Sequence, residues 1–216
     1  MHADHTFRQM LRAIPGYGLL RALRRHVISA ADSLLGTTDE QWVRVVMNRE
    51  TRKMIEALGP ANLSVLEISG DAWGKWCGFR QYKSLAYPAF DVCNSRLAET
   101  FDLIVAEQVF EHLLWPYRAG KNVYQMLNPG GHFLVTTPFL IRIHEFPVDC
   151  SRWTECGIKY FLAECGFPIE QIRTGAWGNR DCIKANYRDW ARYRSRLHSL
   201  RNEPDFPVSV WALAQK

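Results

Sequence analysis

The 216 residues contain no run of about 18 uncharged apolar residues, so no membrane-spanning helix is expected. Six cysteines stand at 77, 93, 150, 156, 165 and 182, with no C-x-x-C pair and no Cys-His cluster at ligand spacing. A structural zinc needs four soft ligands in close clusters, so zinc is not expected and no metal ligand set is read. The early apolar residues are interrupted by Arg21, Arg24 and Arg25, unlike a secretory signal, and a reducing cytoplasm is the expected location. Charge of one sign is scarce too: 27 Lys and Arg against 22 Asp and Glu leave a net charge of only +5. No internal repeat or low-complexity tract appears.

Hydrophobic residues make up 47% and charged residues 23%, enough apolar material for a sizeable core within one domain of this length. The basic excess gathers in two stretches, Arg8 to Arg25 and Arg188 to Arg201. The second interleaves Tyr187, Trp190 and Tyr193 with Arg188, Arg192, Arg194 and Arg196. That pattern suits either an RNA-contacting strip or a solvated helix with an aromatic core stripe, and the helix is the expectation. Residues 6–35 place Met10, Leu11, Ile14, Leu19, Leu20, Leu23, Val27 and Ile28 at helical spacing, broken by Pro15-Gly16. Such a basic amphipathic start either touches phospholipid or packs over an adjoining domain; packing is preferred. Thr37 to Leu58 continues helically until Gly59-Pro60 stops it. Residues 1–60 are therefore read as a helical extension packed on a domain spanning 61–216, with an insertion at 178–206.

From residue 64 the rhythm becomes strand, helix, strand. Strands are expected at Ser64–Ile68, Tyr82–Leu85, Ala89–Val92, Phe101–Ala106, His132–Thr137, Ile169–Ala176 and Val208–Leu213. Glu107–Leu127 reads as a helix with an internal Pro116, and Thr154–Cys165 as a helix with Thr154 as N-cap and Gly166 after its end. The alternation argues for an α/β fold, a parallel sheet with helices on both faces.

Four segments in order carry a resemblance. Val65-Leu66-Glu67-Ile68-Ser69-Gly70 is a strand, an acid and a Gly-containing loop; Phe101–Val105 runs on into Gln108-Val109-Phe110-Glu111-His112; Leu127-Asn128-Pro129-Gly130-Gly131 precedes another strand; Thr137-Pro138-Phe139 ends it. Across about half the chain this resembles the class I S-adenosylmethionine-dependent methyltransferases, which implies a Rossmann-like sheet. It departs from the family where a Gly-rich loop is reduced to Gly70 and Gly74 around Trp73, and where Ala86 replaces the acid that ends the second strand. The resemblance implies a cofactor, S-adenosyl-L-methionine, with Glu67 and the Ser69-Gly70 backbone on its methionine part and Asp91 at the adenine. Each residue also has a structural alternative: Glu67 as a cap of the next helix, Asp91 as a turn residue, Trp73 as core rather than a cation–π cover. Gln108, beyond the carboxyl end of its strand, contacts cofactor or substrate or bonds only backbone.

Methyl transfer needs alignment and removal of the acceptor's proton. The cluster His144-Glu145-Phe146-Pro147-Val148-Asp149-Cys150-Ser151-Arg152 follows the fifth strand at the edge where such sheets bind ligands. His144, with an ordinary pKa near ~6.5, is the candidate general base; Asp149 would orient it, and Arg152 would hold an anionic or polyhydroxyl acceptor. The alternative is a loop in which Asp149 and Arg152 simply pair. Glu111, His112 and Trp177 complete the candidate substrate-side residues, the last as a stacking face for a sugar ring. The expected function is O-methylation of a small hydroxylated acceptor such as a sugar or glycoside. A non-catalytic binding module and an RNA-directed methyltransferase are the rivals. Oligomeric state is left open.

Overall fold

The computed structural model describes residues 17–216. The expected first helix around Met10 to Ile14 lies outside them. Contacts divide the chain into two compact units.

The smaller unit combines the chain up to Glu40 with Arg192–Ser199. Within it, α1 (Tyr17–Leu35) leads into β1 (Thr37–Gln41), which pairs with β7 (Arg192–Arg194). Arg192 ties the two strands through the Thr38 carbonyl and the Asp39 carboxylate, at 3.0 and 2.7 Å. Residues 37–41 are therefore strand where helix was expected, and the basic aromatic stretch around Arg192 is strand and turn rather than a helix.

The larger unit, Gln41–Ala191 with Leu200–Lys216, begins well before the seam expected at residue 60. The reason is α2 (Val45–Glu56), whose fully buried Ile55 joins one core layer. The remaining elements are β2 (Ser64–Ile68), α3 (Ala72–Trp76), β3 (Gln81–Leu85), β4 (Phe101–Glu107), α4 (Pro116–Met126), β5 (Leu127–Pro138), α5 (Glu155–Glu164), β6 (Ile172–Trp177), α6 (Arg180–Ala185) and β8 (Ser209–Gln215). Six strands form one sheet in the order β3-β2-β4-β5-β8-β6. The first four are parallel, but β8 runs antiparallel to both β5 and β6, correcting the all-parallel expectation.

Neighbouring side chains along a strand leave by opposite faces, so each central strand feeds two cores. Val65, Leu103, Val105, Leu134 and Leu213 pack with Ile55 and Trp73 under α2 and α3. Leu66, Ile104, Ala106, Phe133, Val135 and Ala212 pack with Val123 of α4 and Phe161 and Leu162 of α5. Each fully buried Leu, Ile, Val or Phe contributes roughly 1.5–3 kcal/mol, and this two-sided burial holds the sheet together.

Two expectations fail for local reasons. Ala89–Val92 forms no strand, because Asp91 accepts from the Cys93 amide (2.9 Å) and the Asn94 side chain (2.7 Å) and turns the chain. Pro116 begins α4 instead of interrupting a longer helix, since its missing N–H costs nothing at that position. Thr154 does cap α5, accepting from the Gly157 amide at 3.0 Å. No described helix is long and apolar enough to cross a membrane.

Candidate functional site

Ligands of α/β sheets bind beyond the carboxyl ends of the strands. Two non-glycine residues at that edge adopt left-handed backbone: Ser69 after β2 (φ 59°) and Gln108 after β4 (φ 55°). Such conformations cost about 1–3 kcal/mol and persist where the surroundings enforce them. Between them lies the loop that caps α3. The Glu67 carboxylate, 2% exposed, accepts from the Ala72 amide (3.2 Å), the Trp73 amide (3.0 Å) and the Tyr82 hydroxyl (2.6 Å). Burial raises its pKa above the usual range, although those three donors pull the other way. A Cβ at position 70 would collide with Glu67 Oε1, so only glycine lets the backbone pass this carboxylate.

At the end of β4, the Gln108 amide donates to the Thr136 carbonyl at 3.0 Å, and its side chain donates to Thr136 Oγ1 at 3.2 Å. The next residues tighten into a 3₁₀ turn, Phe110–His112. The turn drives Phe110 into the core and leaves Glu111 wholly buried beside it. No donor from another described residue bonds either Glu111 oxygen. Burial pushes this carboxyl up to about 7. His112 follows with Nδ1 at 2.6 Å from the Val148 carbonyl, which makes Nδ1 the donor and leaves Nε2 with a lone pair. That Nε2 stands 3.6 Å from Glu111 Oε1.

The loop after β5 folds back onto this turn. Cys150 and Ser151 amides donate to the Glu111 carbonyl at 2.7 and 3.3 Å, fastening residues 144–152 to the end of β4. Asp149, whose side chain is 3% exposed, is gripped by both terminal nitrogens of Arg152. It also accepts from the His144 amide at 2.9 Å, and His144 Nδ1 lies 3.3 Å from Asp149 Oδ2. Burial would raise the Asp149 carboxyl, but Arg152 and the His144 amide hold it below the usual range. Burial lowers the His144 imidazole below its ordinary value, against the pull of Asp149. A neutral ring is thus favoured, with its side chain 23% exposed. His144 meets His112 edge to face at 5.0 Å.

Of the residues singled out from sequence, the fold brings Glu111, His112, His144, Asp149 and Arg152 together. Three others sit elsewhere. Asp91 spends both carboxylate oxygens on its own turn. Trp73, 4% exposed, lies in the core under α2 with its indole N–H on Glu107 at 2.9 Å. A cavity of about 150 Å³ beside it is lined by Arg44, Asn48, Arg52, Ala72, Trp76 and Glu107. Trp177 is buried, its indole N–H on the Leu200 carbonyl at 3.0 Å, so its faces are not open for stacking. Sequence reading missed the indole that does reach the site. Trp190 packs edge to face on His144 at 5.4 Å, with the Arg142 guanidinium 4.3 Å over its ring. The signal was Trp190's place in the basic aromatic stretch, which pointed to a helix instead.

Residues 39–155, more than half of the chain, match the family model of the methyltransferase domain. No curated protein matches the sequence. A crystal structure of an S-adenosylmethionine-dependent methyltransferase from Mesorhizobium loti is similar at 16% identity and TM-score 0.51, covering 76% of this chain and 96% of that one. A phosphoethanolamine N-methyltransferase from Haemonchus contortus, in complex with phosphomonomethylethanolamine and S-adenosylhomocysteine, is similar at 13% identity and TM-score 0.51, covering 78% of this chain and 53% of that one. At these identities the likeness to both is one of fold.

Proposed function

This chain belongs to the methyltransferase-domain family and takes its methyl group from S-adenosylmethionine, and from that premise we propose that it methylates an oxygen of a small hydroxylated acceptor, such as a sugar or glycoside, with His144 receiving the hydroxyl proton. Backbone observations support binding of the donor at the carboxyl edge. Ser69 and Gln108 hold left-handed conformations just beyond the ends of β2 and β4, and Gly70 lets the chain pass the Glu67 carboxylate. In this reading Glu67 fixes the loop, while Ser69, Gly70 and Gln108 hold the donor. When bound, the donor supplies an electrophilic methyl on a sulfonium.

The observation that carries the acceptor reading is the His144–Asp149–Arg152 arrangement. Asp149 is locked by Arg152 and faces both the amide and the ring of His144. A neutral, partly open imidazole held this way suits proton acceptance from a hydroxyl. Arg142 and Trp190 wall the same ring. Exposed Leu114, Trp115, Ile143 and Phe146 adjoin these residues along the chain and suit the apolar face of a sugar. The nitrogen-methylating relative, similar in fold alone, does not choose the acceptor atom.

Thermal shift with S-adenosylhomocysteine and product mass over a panel of hydroxylated acceptors test the reading. The ligand should raise the melting temperature of both wild type and His144→Ala. Turnover of the variant should fall at least ~100-fold. Turnover near wild type would remove His144 as the base, and methylation confined to amines would remove the oxygen assignment.

A further inference from the structure

Glu111 presents a problem that donor binding and proton acceptance leave unsolved. Its side chain is 0% exposed, and neither oxygen takes a hydrogen bond from another described residue. A buried carboxylate is stable only when paired, protonated or coordinated to a cation. Arg44 and Arg152 act on it only through their fields, and Arg44 is itself bonded to Glu107 at 2.7 Å while Arg152 holds Asp149. What converges on Glu111 instead is imidazole. One ligand atom each from Glu111, His112 and His144 lies within 4.8 Å of the others.

We infer that Glu111, His112 and His144 form a binding site for one divalent transition-metal ion. Metal–ligand bonds of about 2.0–2.2 Å place ligand atoms on one ion roughly 3–4 Å apart, so side-chain shifts under about 1 Å close the site. The His112 ring is already oriented for it. The His112 Nδ1–H is spent on the Val148 carbonyl and Nε2 faces the carboxylate. The His144 backbone is held by Asp149, and Asp149 by Arg152, with the ring Nδ1 3.3 Å from Asp149 Oδ2. Carbonyl and carboxylate partners of this kind fix the tautomer and pose of metal-bound imidazoles. Two nitrogens and one carboxylate favour a first-row ion such as Mn, Fe, Co or Zn over magnesium, and three protein ligands leave positions open. The His144 side chain, 23% exposed, leaves the cluster open to a small ligand on its side. The inference stands apart from the identity of the acceptor, but it bears on His144: a ring nitrogen engaged by an ion is no longer a base, and the charge of the ion would then lower the acceptor's pKa.

The test is titration of chelator-treated full-length protein with Co²⁺ alone, followed by visible absorption and calorimetry. Cys150→Ser and Cys156→Ser are introduced first, to remove the two exposed thiols as competing ligands. One equivalent of Co²⁺ should bind with a spectrum free of thiolate charge transfer. Binding should weaken at least ~10-fold in Glu111→Gln and, independently, in His112→Gln, with circular dichroism and a cooperative urea transition as the check on folding. Absence of stoichiometric binding to the parent, or equal binding by both folded variants, overturns the site. Neither donor nor acceptor enters the titration, so its failure would leave the methyltransferase reading untouched.

Discussion

Asp102 and Glu111 are carboxylates at opposite ends of the same strand, and they are solved in opposite ways. At the amino end of β4, Asp102 accepts from the Ser64 amide (2.9 Å), the Ser64 hydroxyl (2.8 Å), Asn128 (2.8 Å) and Arg80 (3.0 Å). Both oxygens are bonded, and the residue sews β2 to β4 and to the start of β5. Past the carboxyl end, Glu111 is more deeply buried, and its carboxylate takes no hydrogen bond from another described residue. Saturated polar groups belong to the scaffold; an unsatisfied buried one marks where stability has yielded to another task.

That contrast can be broken most sharply at Asp102. Asp102→Ala should destabilise the protein by about 2–3 kcal/mol in urea unfolding, because Ser64 and Asn128 lose a charged acceptor. Cobalt binding should be unchanged. The sign with pH follows from the shift. Burial alone would raise the Asp102 carboxyl, but Ser64, Asn128 and Arg80 hold it below the usual range. Its contribution is therefore complete above about pH 4, the unfolded value, and is lost as pH falls through the lower folded value. The gap between wild type and Asp102→Asn should narrow correspondingly in acid.

Glu111→Met should act in the opposite direction, stabilising the metal-free protein by about 1–2 kcal/mol through removal of an unpaired buried carboxylate. If both substitutions destabilise alike, Glu111 is a structural group and the contrast is void. A smaller effect sharpens it. Thr154→Ala should cost about 1 kcal/mol, since Thr154 caps α5 beyond the same edge with its bond made. That loss, read by thermal unfolding, would set the worth of a satisfied polar group beside the unsatisfied Glu111 carboxylate.

What could be read from sequence follows the same division. Val65–Ile68 and Phe101–Ala106 were legible because both their faces are buried and their residues are almost all apolar. Thr37–Gln41 was not, because Thr-Thr-Asp-Glu-Gln has no apolar alternation and is strand only by pairing with Arg192–Arg194. Asp149 beside His144 was legible because only four residues of loop separate them. The meeting of Glu111 and His112 with His144 was not, because it depends on Cys150 and Val148 bonding back to a turn on another strand. Trp73 and Trp177 looked like ligand faces because sequence carries no record of which way an indole turns. Both proved to be interior, while the half-buried Trp190 took the place beside His144.

One topological detail has a bearing on how the chain assembles. The strand made last, β8, lies in the sheet's interior between β5 and β6. Until residues 209–215 leave the ribosome, β5 has a raw edge and β6 has nothing to dock on. The apolar Val210-Trp211-Ala212-Leu213-Ala214 is thus the segment whose late arrival closes the molecule, and synthesis halted before it would leave an adhesive half-sheet.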